Sequence, residues 1–124
     1  MVKFVQCMRR RPGTTVQAFR RWWESYLERS AELAKAMGAV RMSADAALLV
    51  PENMEIRTAR GTDEPYDGVV VIWMEDAAPF ETLKSDPALQ PLWEEVQREQ
   101  REGLDLERSS FFMVQEVFSR EWKA

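Results

Sequence analysis

One short segment of this chain is apolar on both of its faces. Residues 66–76 read YDGVVVIWMED, and every position from 69 to 74 carries an apolar side chain. Successive residues of a β-strand point to opposite faces of a sheet, so this strand leaves neither face to water. A chain of 124 residues has few elements with which to cover both faces. We therefore expect the chain's own helices on one face and a second copy of the chain on the other.

The sequence around this strand predicts an alternation of strands and helices. Residues 2–9 have the alternating pattern of a strand with two partly apolar faces. A long helix follows, which Thr14 or Thr15 can cap and which ends near Met37, where Gly38 stops it. The remaining predicted elements are strands at 39–50, 67–74 and 109–118 and short helices at 79–84 and 91–102.

The order of these elements is β, α, β, β, α, β. It predicts an α+β fold of the ferredoxin-like type, with an antiparallel four-stranded sheet that carries helices on one face. No linker or repeat divides the chain, so residues 1–124 are expected to form a single domain. The turn-forming composition of 51–65 predicts an irregular loop, which is either a lid or a plain connection.

Composition excludes several classes of function. The formal net charge is −4 and the sequence pI is near 5.0, which argues against binding to nucleic acid or to an anionic membrane. Histidine is absent and Cys7 is the only cysteine, so the commonest general base, the usual zinc sites and an intrachain disulfide are all excluded. We expect no cofactor and no metal. The lone cysteine and the lack of a signal-like or membrane-spanning segment predict a cytoplasmic protein.

The first helix places two hydroxyl groups within its apolar stripe. At about 100° per residue, Tyr26 and Ser30 fall one turn apart on the face that also carries Phe19 and Trp23. A buried hydroxyl needs a hydrogen-bond partner, and a ligand between helix and sheet is one such partner. The alternative is that Tyr26 bonds a backbone carbonyl and that Ser30 bonds back to its own helix.

Polar residues also interrupt the last apolar strand. Gln115 and Glu116 lie there, and the two-residue period puts Glu116 on the face of Phe112. A carboxylate in that position is either a general acid or base, or the partner of an arginine across a subunit interface. Asp67 is a candidate of the same kind at the end of a strand.

Tryptophan is frequent in this chain, with five residues. Trp23 and Trp73 lie on predicted apolar faces, where their rings could hold a flat hydrophobic ligand or simply fill a small core. The three consecutive arginines at positions 9 to 11 form the only basic run, and they either contact phosphate or an acidic substrate or, as the interpretation that we favour, form a solvated turn.

Several segments together resemble a known family. The opening MVKFVQCMRRRPGTTVQAFRRWW gives a strand, a basic turn with Pro and Gly, and a helix with Phe19 and Trp23 one turn apart; YDGVVVIWMED, LKSDPAL and FFMVQEVF follow. In this order and spacing, over nearly its whole length, the chain resembles the EthD-like family of the dimeric α+β barrel superfamily. The resemblance implies that two protomers pair their sheets face to face, and that each has a cleft between its sheet and its own helices. Family members commonly carry a histidine where this chain has Leu27, and the adjacent Tyr26 is the candidate replacement.

This resemblance implies three alternative functions. The first is a cofactor-free lyase or isomerase, of dehydratase, decarboxylase or cyclase type, that acts on a hydrophobic aromatic or polyketide-like molecule. The others are a cofactor-free monooxygenase, and a non-catalytic small-molecule-binding or accessory dimer in a degradation pathway. The expected partners are a second copy of the chain and a small hydrophobic ligand. The residues expected to carry the chemistry are Tyr26, Glu116 and Asp67 as catalytic groups and Trp23, Ser30, Trp73 and Gln115 as substrate contacts.

Overall fold

A four-stranded antiparallel sheet organises the computed structural model, which describes residues 1–123. Helices cover one face of this sheet and leave the other open. The strands are β1 Val2–Met8, β2 Arg41–Ala46, β3 Gly68–Met74 and β4 Ser110–Gln115. The helices are α1 Val16–Met37, α2 Pro51–Arg60, α3 Ala78–Ser85 and α4 Gln90–Gly103, with short 3-10 turns at Pro87–Leu89 and Leu106–Arg108.

The strands lie in the order β2-β3-β1-β4, which confirms the predicted ferredoxin-like fold. In the register of the two central strands, Gln6 of β1 lies opposite Val70 of β3 and Phe111 of β4. Side chains of one such row share a face of the sheet. Because Val70 is fully buried beneath the helices, the row containing Gln6 marks the helix-facing side.

Helix α1 has the predicted ends and the predicted buried stripe. The side chain of Thr15 accepts a hydrogen bond from the backbone N–H of Ala18 at 3.1 Å, and Gly38 ends the helix in the left-handed conformation with φ +99°. The residues that α1 buries are Phe19, Trp23, Tyr26, Ser30, Leu33 and Ala34. Within residues 1–123, no helix combines the length and the apolar character needed to cross a bilayer.

Strand β3 divides its side chains between two different surroundings. Val70, Ile72 and Met74 are buried under the helices, whereas Val69, Val71 and Trp73 lie on the open face and are partly exposed. The open face also carries Val5 and Cys7 of β1 and Phe112 and Val114 of β4, which lie in the same rows. An apolar face of this extent is typical of a surface that another molecule covers.

Residues 51–65 do not form the predicted loop, and that prediction is wrong for most of the segment. Helix α2 occupies Pro51–Arg60, with Pro51 in its first turn and Gly61 at its end with φ +65°. Glu52 near the start and Arg60 near the end complement the helix dipole. The helix buries no residue, and its two large apolar side chains, Met54 and Ile56, are two positions apart and do not form the continuous apolar stripe by which a buried helix is recognised.

Two strands are shorter than predicted. Strand β2 ends at Ala46 rather than at residue 50, because its partner β3 begins opposite it at Gly68. Strand β4 ends at Gln115 rather than at residue 118, because its partner β1 begins opposite it at Val2. In both cases the neighbouring strand, and not the local sequence, sets the limit.

We expect the open face to be the contact surface of a homodimer. Val71→Glu places a charge at the centre of this face, where burial against a partner makes it costly. Light scattering should give about twice the chain mass of 14.5 kDa for the wild type and the single chain mass for Val71→Glu. Ala36→Glu, on the exposed side of α1, is the matched control and should remain dimeric. A folded wild-type monomer at high concentration would contradict the expectation.

Candidate functional site

A cavity lies between the helix-facing side of the sheet and helices α1, α3 and α4. Its volume is about 80 Å³, roughly half of the about 150 Å³ that suffices for benzene in an engineered protein cavity. A ring-sized ligand therefore requires half-buried lining residues such as Phe80 and Trp93 to move aside. Most of the wall is apolar, with Phe4, Leu33, Ile72, Met74, Val96 and Phe111 among the lining residues.

One part of the cavity wall is polar. Gln6 of β1, Ser30 of α1 and Gln100 of α4 line it, and the buried Tyr26 lies behind them. The hydroxyl of Tyr26 donates to Oε1 of Gln6 at 2.8 Å and accepts from Nε2 of Gln100 at 3.0 Å. These two hydrogen bonds connect the sheet to both of the long helices. We call Gln6, Tyr26 and Gln100 the amide-tyrosine network.

The environment of Tyr26 keeps its hydroxyl protonated. Burial is the main cause that raises its pKa above the ordinary value of 10.0, and the nearby charge of Glu99 acts in the same direction. Hydrogen bonding by Gln100 and Ser30 opposes this shift of the pKa. Glu99 is itself buried between α1 and α4 and forms an ion pair with Arg29 at 2.6 Å. The hydroxyl of Tyr26 therefore keeps its proton at neutral pH.

Trp23, expected to contact substrate, lies in the core and does not line the cavity. Its indole N–H donates to the sulfur of Met8 at 3.3 Å, and its ring stacks on Phe19 with centroids 5.7 Å apart. The ring also covers Gly68, where an added Cβ would lie 2.5 Å from a ring atom. Glycine at the start of β3 thus makes room for Trp23.

The other expected site residues do not meet at the cavity. Trp73 is on the open face of the sheet, where Arg41 lies 4.3 Å from its ring centre. Gln115 is exposed at the end of β4. Glu116 is exposed and lies 3.8 Å from Lys3 of the same chain. Of the seven expected residues, only Ser30 lines the cavity, and Tyr26 lies directly behind the polar part of its wall.

Asp67 holds the basic turn in place. Its carboxylate accepts a hydrogen bond from the backbone N–H of Arg10 at 2.8 Å and forms an ion pair with the guanidinium of the same residue. Arg9 is buried, donates to the carbonyl of Arg108 at 3.0 Å and stacks on Tyr66 at 4.2 Å. The interpretation of this basic run as a solvated turn is therefore wrong for Arg9 and Arg10, which join strand ends. Of the three arginines, only Arg11 is exposed.

Two residues of the amide-tyrosine network were missing from the expected site. Gln6 is a polar residue in an otherwise apolar strand, and this pattern indicates a polar side chain on a buried face. Gln100 lies one turn after Val96 on the inner face of α4, but a glutamine among charged neighbours reads as a surface residue. Among the described residues no cluster of three or more Cys, Asp or Glu side chains is suited to a metal ion.

Fold and cavity together define a ferredoxin-like protein with a small apolar cleft between sheet and helices. The EthD domain matches residues 11–98, which is most of the chain, and the chain belongs to this family. No curated protein matches it.

Solved structures support the same fold. A dimeric protein of unknown function and ferredoxin-like fold from Bacteroides fragilis NCTC 9343 superposes with a TM-score of 0.61 and 10% identity, over 91% of this chain and 93% of the other. SnoaB, a cofactor-independent oxygenase from Streptomyces nogalater, gives 0.58 and 16%, over 95% and 94%. A NIPSNAP domain protein from Burkholderia xenovorans gives 0.54 and 16%, over 98% and 100%. At these identities the similarity establishes the fold.

The contact between Trp23 and Gly68 predicts a specific destabilisation. Gly68→Ala forces a methyl group against the indole ring and should lower the free energy of unfolding by about 1–3 kcal/mol. The smaller ring of Trp23→Phe should relieve the clash, so the same glycine substitution should cost less in that background. Urea unfolding of the four proteins measures this coupling. Equal costs in both backgrounds would show that the indole does not set the space at Gly68.

The raised pKa of Tyr26 predicts how stability depends on alkaline pH. A group with a higher pKa in the folded than in the unfolded state contributes stability that is complete below the unfolded value, about 10, and is lost as the pH rises through the folded value. The stability difference between wild type and Tyr26→Phe should therefore shrink as the pH rises above about 10. Urea unfolding from about pH 8 to pH 11 measures it. A difference that stays constant would contradict the assignment.

Proposed function

We propose that this protein is a small-molecule-processing enzyme that binds a largely apolar substrate in the cleft by one oxygen atom and stabilises negative charge on that oxygen. The observation that carries the proposal is the placement of the amide-tyrosine network at the only polar part of an apolar cavity wall within the described residues. A few polar groups in an apolar pocket fix the orientation of a ligand. The apolar wall excludes water and thereby strengthens these polar contacts.

The network is suited to stabilise an enolate or phenolate oxygen. The hydroxyl of Tyr26 donates a hydrogen bond to Oε1 of Gln6. This hydrogen bond polarises the amide of Gln6 and makes its Nε2–H groups better donors. A donor fixed before the reaction stabilises developing negative charge without reorganisation. Removal of one such donor in an enzyme site typically lowers the rate by about a hundredfold to a thousandfold.

Cofactor-independent oxygenation is the reaction that this geometry supports best. Among the lining residues, all within residues 1–123, none is charged, so the cavity wall offers no carboxylate to abstract a proton. A substrate that binds neutral and carries a CH₂ group acidic enough to lose its proton to solvent needs no such base, and the enolate so formed supplies the electrons that reduce dioxygen. A CH₂ group and O₂ then give a carbonyl group and water. The similarity in fold to the cofactor-independent oxygenase SnoaB supports this choice.

A lyase or isomerase step is the second candidate. For such a step the protonated Tyr26 would turn its hydroxyl hydrogen from Gln6 into the cavity, toward a leaving group or an enolate carbon. Such a step also needs a base, and the expected bases do not support it. Glu116 pairs with Lys3 and Asp67 pairs with Arg10, and neither carboxylate lines the cavity. A protein that binds the same ligand without chemistry is the remaining alternative.

The test measures enolate formation directly. 2-Indanone is an apolar ketone with acidic CH₂ groups, and exchange of these hydrogens in D₂O, followed by proton NMR, reports its enolate. The wild type should accelerate exchange over buffer, and Tyr26→Phe should reduce the acceleration by about tenfold to a hundredfold. Tyr66→Phe is the matched control, because Tyr66 is the other tyrosine of the chain and does not line the cavity. It should retain the wild-type rate.

The same samples separate the candidate reactions. Oxygen consumption in step with loss of ketone, measured with an oxygen electrode, supports the oxygenase. Exchange without oxygen consumption supports the lyase or isomerase class. Binding of 2-indanone without accelerated exchange would contradict catalysis and leave a binding protein. Equal losses in both tyrosine variants would exclude the amide-tyrosine network as the cause.

A further inference from the structure

The orientation of both amides in the network follows from a single proton. A phenol hydroxyl has one hydrogen, so Tyr26 donates one hydrogen bond, to Oε1 of Gln6, and accepts the other, from Nε2 of Gln100. In each carboxamide, the atom that does not bond Tyr26 therefore remains free for another partner. Gln6 presents Nε2, a donor, and Gln100 presents Oε1, an acceptor.

Neither end has a protein partner among residues 1–123. Gln6 is only 3% exposed, and its side chain makes a single hydrogen bond, to Tyr26. The side chain of Gln100 likewise bonds only Tyr26. Both amide ends keep access to open space, because within the described residues the only sealed side-chain atoms that make no hydrogen bond are Nε of Arg29, which forms the ion pair with Glu99, and Oε2 of Glu99. Since both glutamines line the cavity, that space is the cavity.

Such an arrangement needs a ligand of matching polarity. A donor on a side chain that is nearly completely buried costs free energy when it has no partner. The cavity can supply that partner only through a bound molecule or water. A molecule with an acceptor for Gln6 and a donor for Gln100 satisfies both amides at once. A carboxylate offers acceptors only, and its oxygen would face the oxygen of Gln100.

The absence of charge on the cavity wall is a second property that selects among ligands. None of the lining residues, all within the described part of the chain, is ionisable at neutral pH. An ionised ligand would lose its hydration without gaining a partner of opposite charge. A neutral ligand avoids this cost.

We propose that Gln6 and Gln100 are specificity-determining residues that select a neutral molecule carrying both a hydrogen-bond acceptor and a donor, such as a carboxamide or a hydroxy-carbonyl compound. They reject a carboxylate with the same apolar body. This inference rests on the proposed function of the cleft as a ligand site, and it assigns the class of ligand.

Three monocyclic probes of nearly equal shape test the selection. Benzamide carries an acceptor and a donor, acetophenone carries the acceptor only, and benzoate carries a negative charge. Titration calorimetry should give the tightest binding for benzamide, about tenfold weaker binding for acetophenone, and still weaker binding for benzoate. The wild-type chain is used throughout, so the ranking does not depend on any variant.

Variants then assign the effect to the two amides. Gln100→Leu removes the acceptor, so benzamide should bind about as weakly as acetophenone while acetophenone itself is little changed. Gln97→Leu, on the same helix but outside the cavity wall, is the matched control and should retain the wild-type ranking. Gln6→Leu removes the donor and should weaken benzamide and acetophenone together. If Gln6→Leu does not fold, Gln100→Leu carries the test.

The outcomes distinguish this inference from the proposed function. Equal binding of all three probes, or a preference for benzoate, would overturn the selection and leave the cleft as a ligand site. Binding of none of the probes would overturn the cleft as a ligand site, and the selection with it. A loss of ranking in Gln97→Leu as large as in Gln100→Leu would remove the assignment to Gln100.

Discussion

The hydroxyl group of Tyr26 connects three elements that the fold brings together from distant parts of the chain. It lies on α1 and bonds Gln6 of β1 and Gln100 of α4, so the sheet and both of the long helices meet at one buried oxygen atom. A fully buried phenol requires such partners, and the two glutamines supply them. The same contacts fix the polarity of the cavity. The stability of the core and the proposed function of the cleft therefore depend on the same three residues.

The two faces of β3 serve two different purposes. Val70, Ile72 and Met74 form the floor beneath the helices, and Ile72 and Met74 line the cavity itself. Val71 and Trp73 face the opposite way, so no ligand in the cleft contacts them. Helices cover one face, as the unbroken apolar strand predicted, and a covering by a second copy of the chain stays a prediction for the other of the two faces. The alternation of burial along the strand assigns each side chain to one of them.

Residue patterns predicted the parts of the fold that bury a continuous apolar stripe. The buried stripe of α1 and its cap at Thr15 could be predicted because the helical period of the apolar residues and the capping residues indicate the same helix. Helix α2 could not be predicted in this way, because it buries no residue and therefore shows no continuous apolar stripe. The expected grouping of Asp67 and Glu116 with Tyr26 failed for a different reason. Each carboxylate forms an ion pair with a nearby cation instead: Asp67 with Arg10 and Glu116 with Lys3. The sheet register and the turn bring these cations close, and the local sequence does not encode either of them.

Leu27, beside Tyr26, stands where family members commonly carry a histidine. Its position shows that the absence of this histidine removes no group from the cleft. Leu27 follows Tyr26 by about 100° around α1 and borders a separate surface hollow with Met42 and Ala44 of β2. It does not line the cavity between the sheet and α4. A histidine at position 27 of this backbone would face the β2 side, away from the amide-tyrosine network. The proposed role of Tyr26 in the cleft therefore does not depend on the residue at position 27, and chemistry that requires a side chain there would belong to another surface.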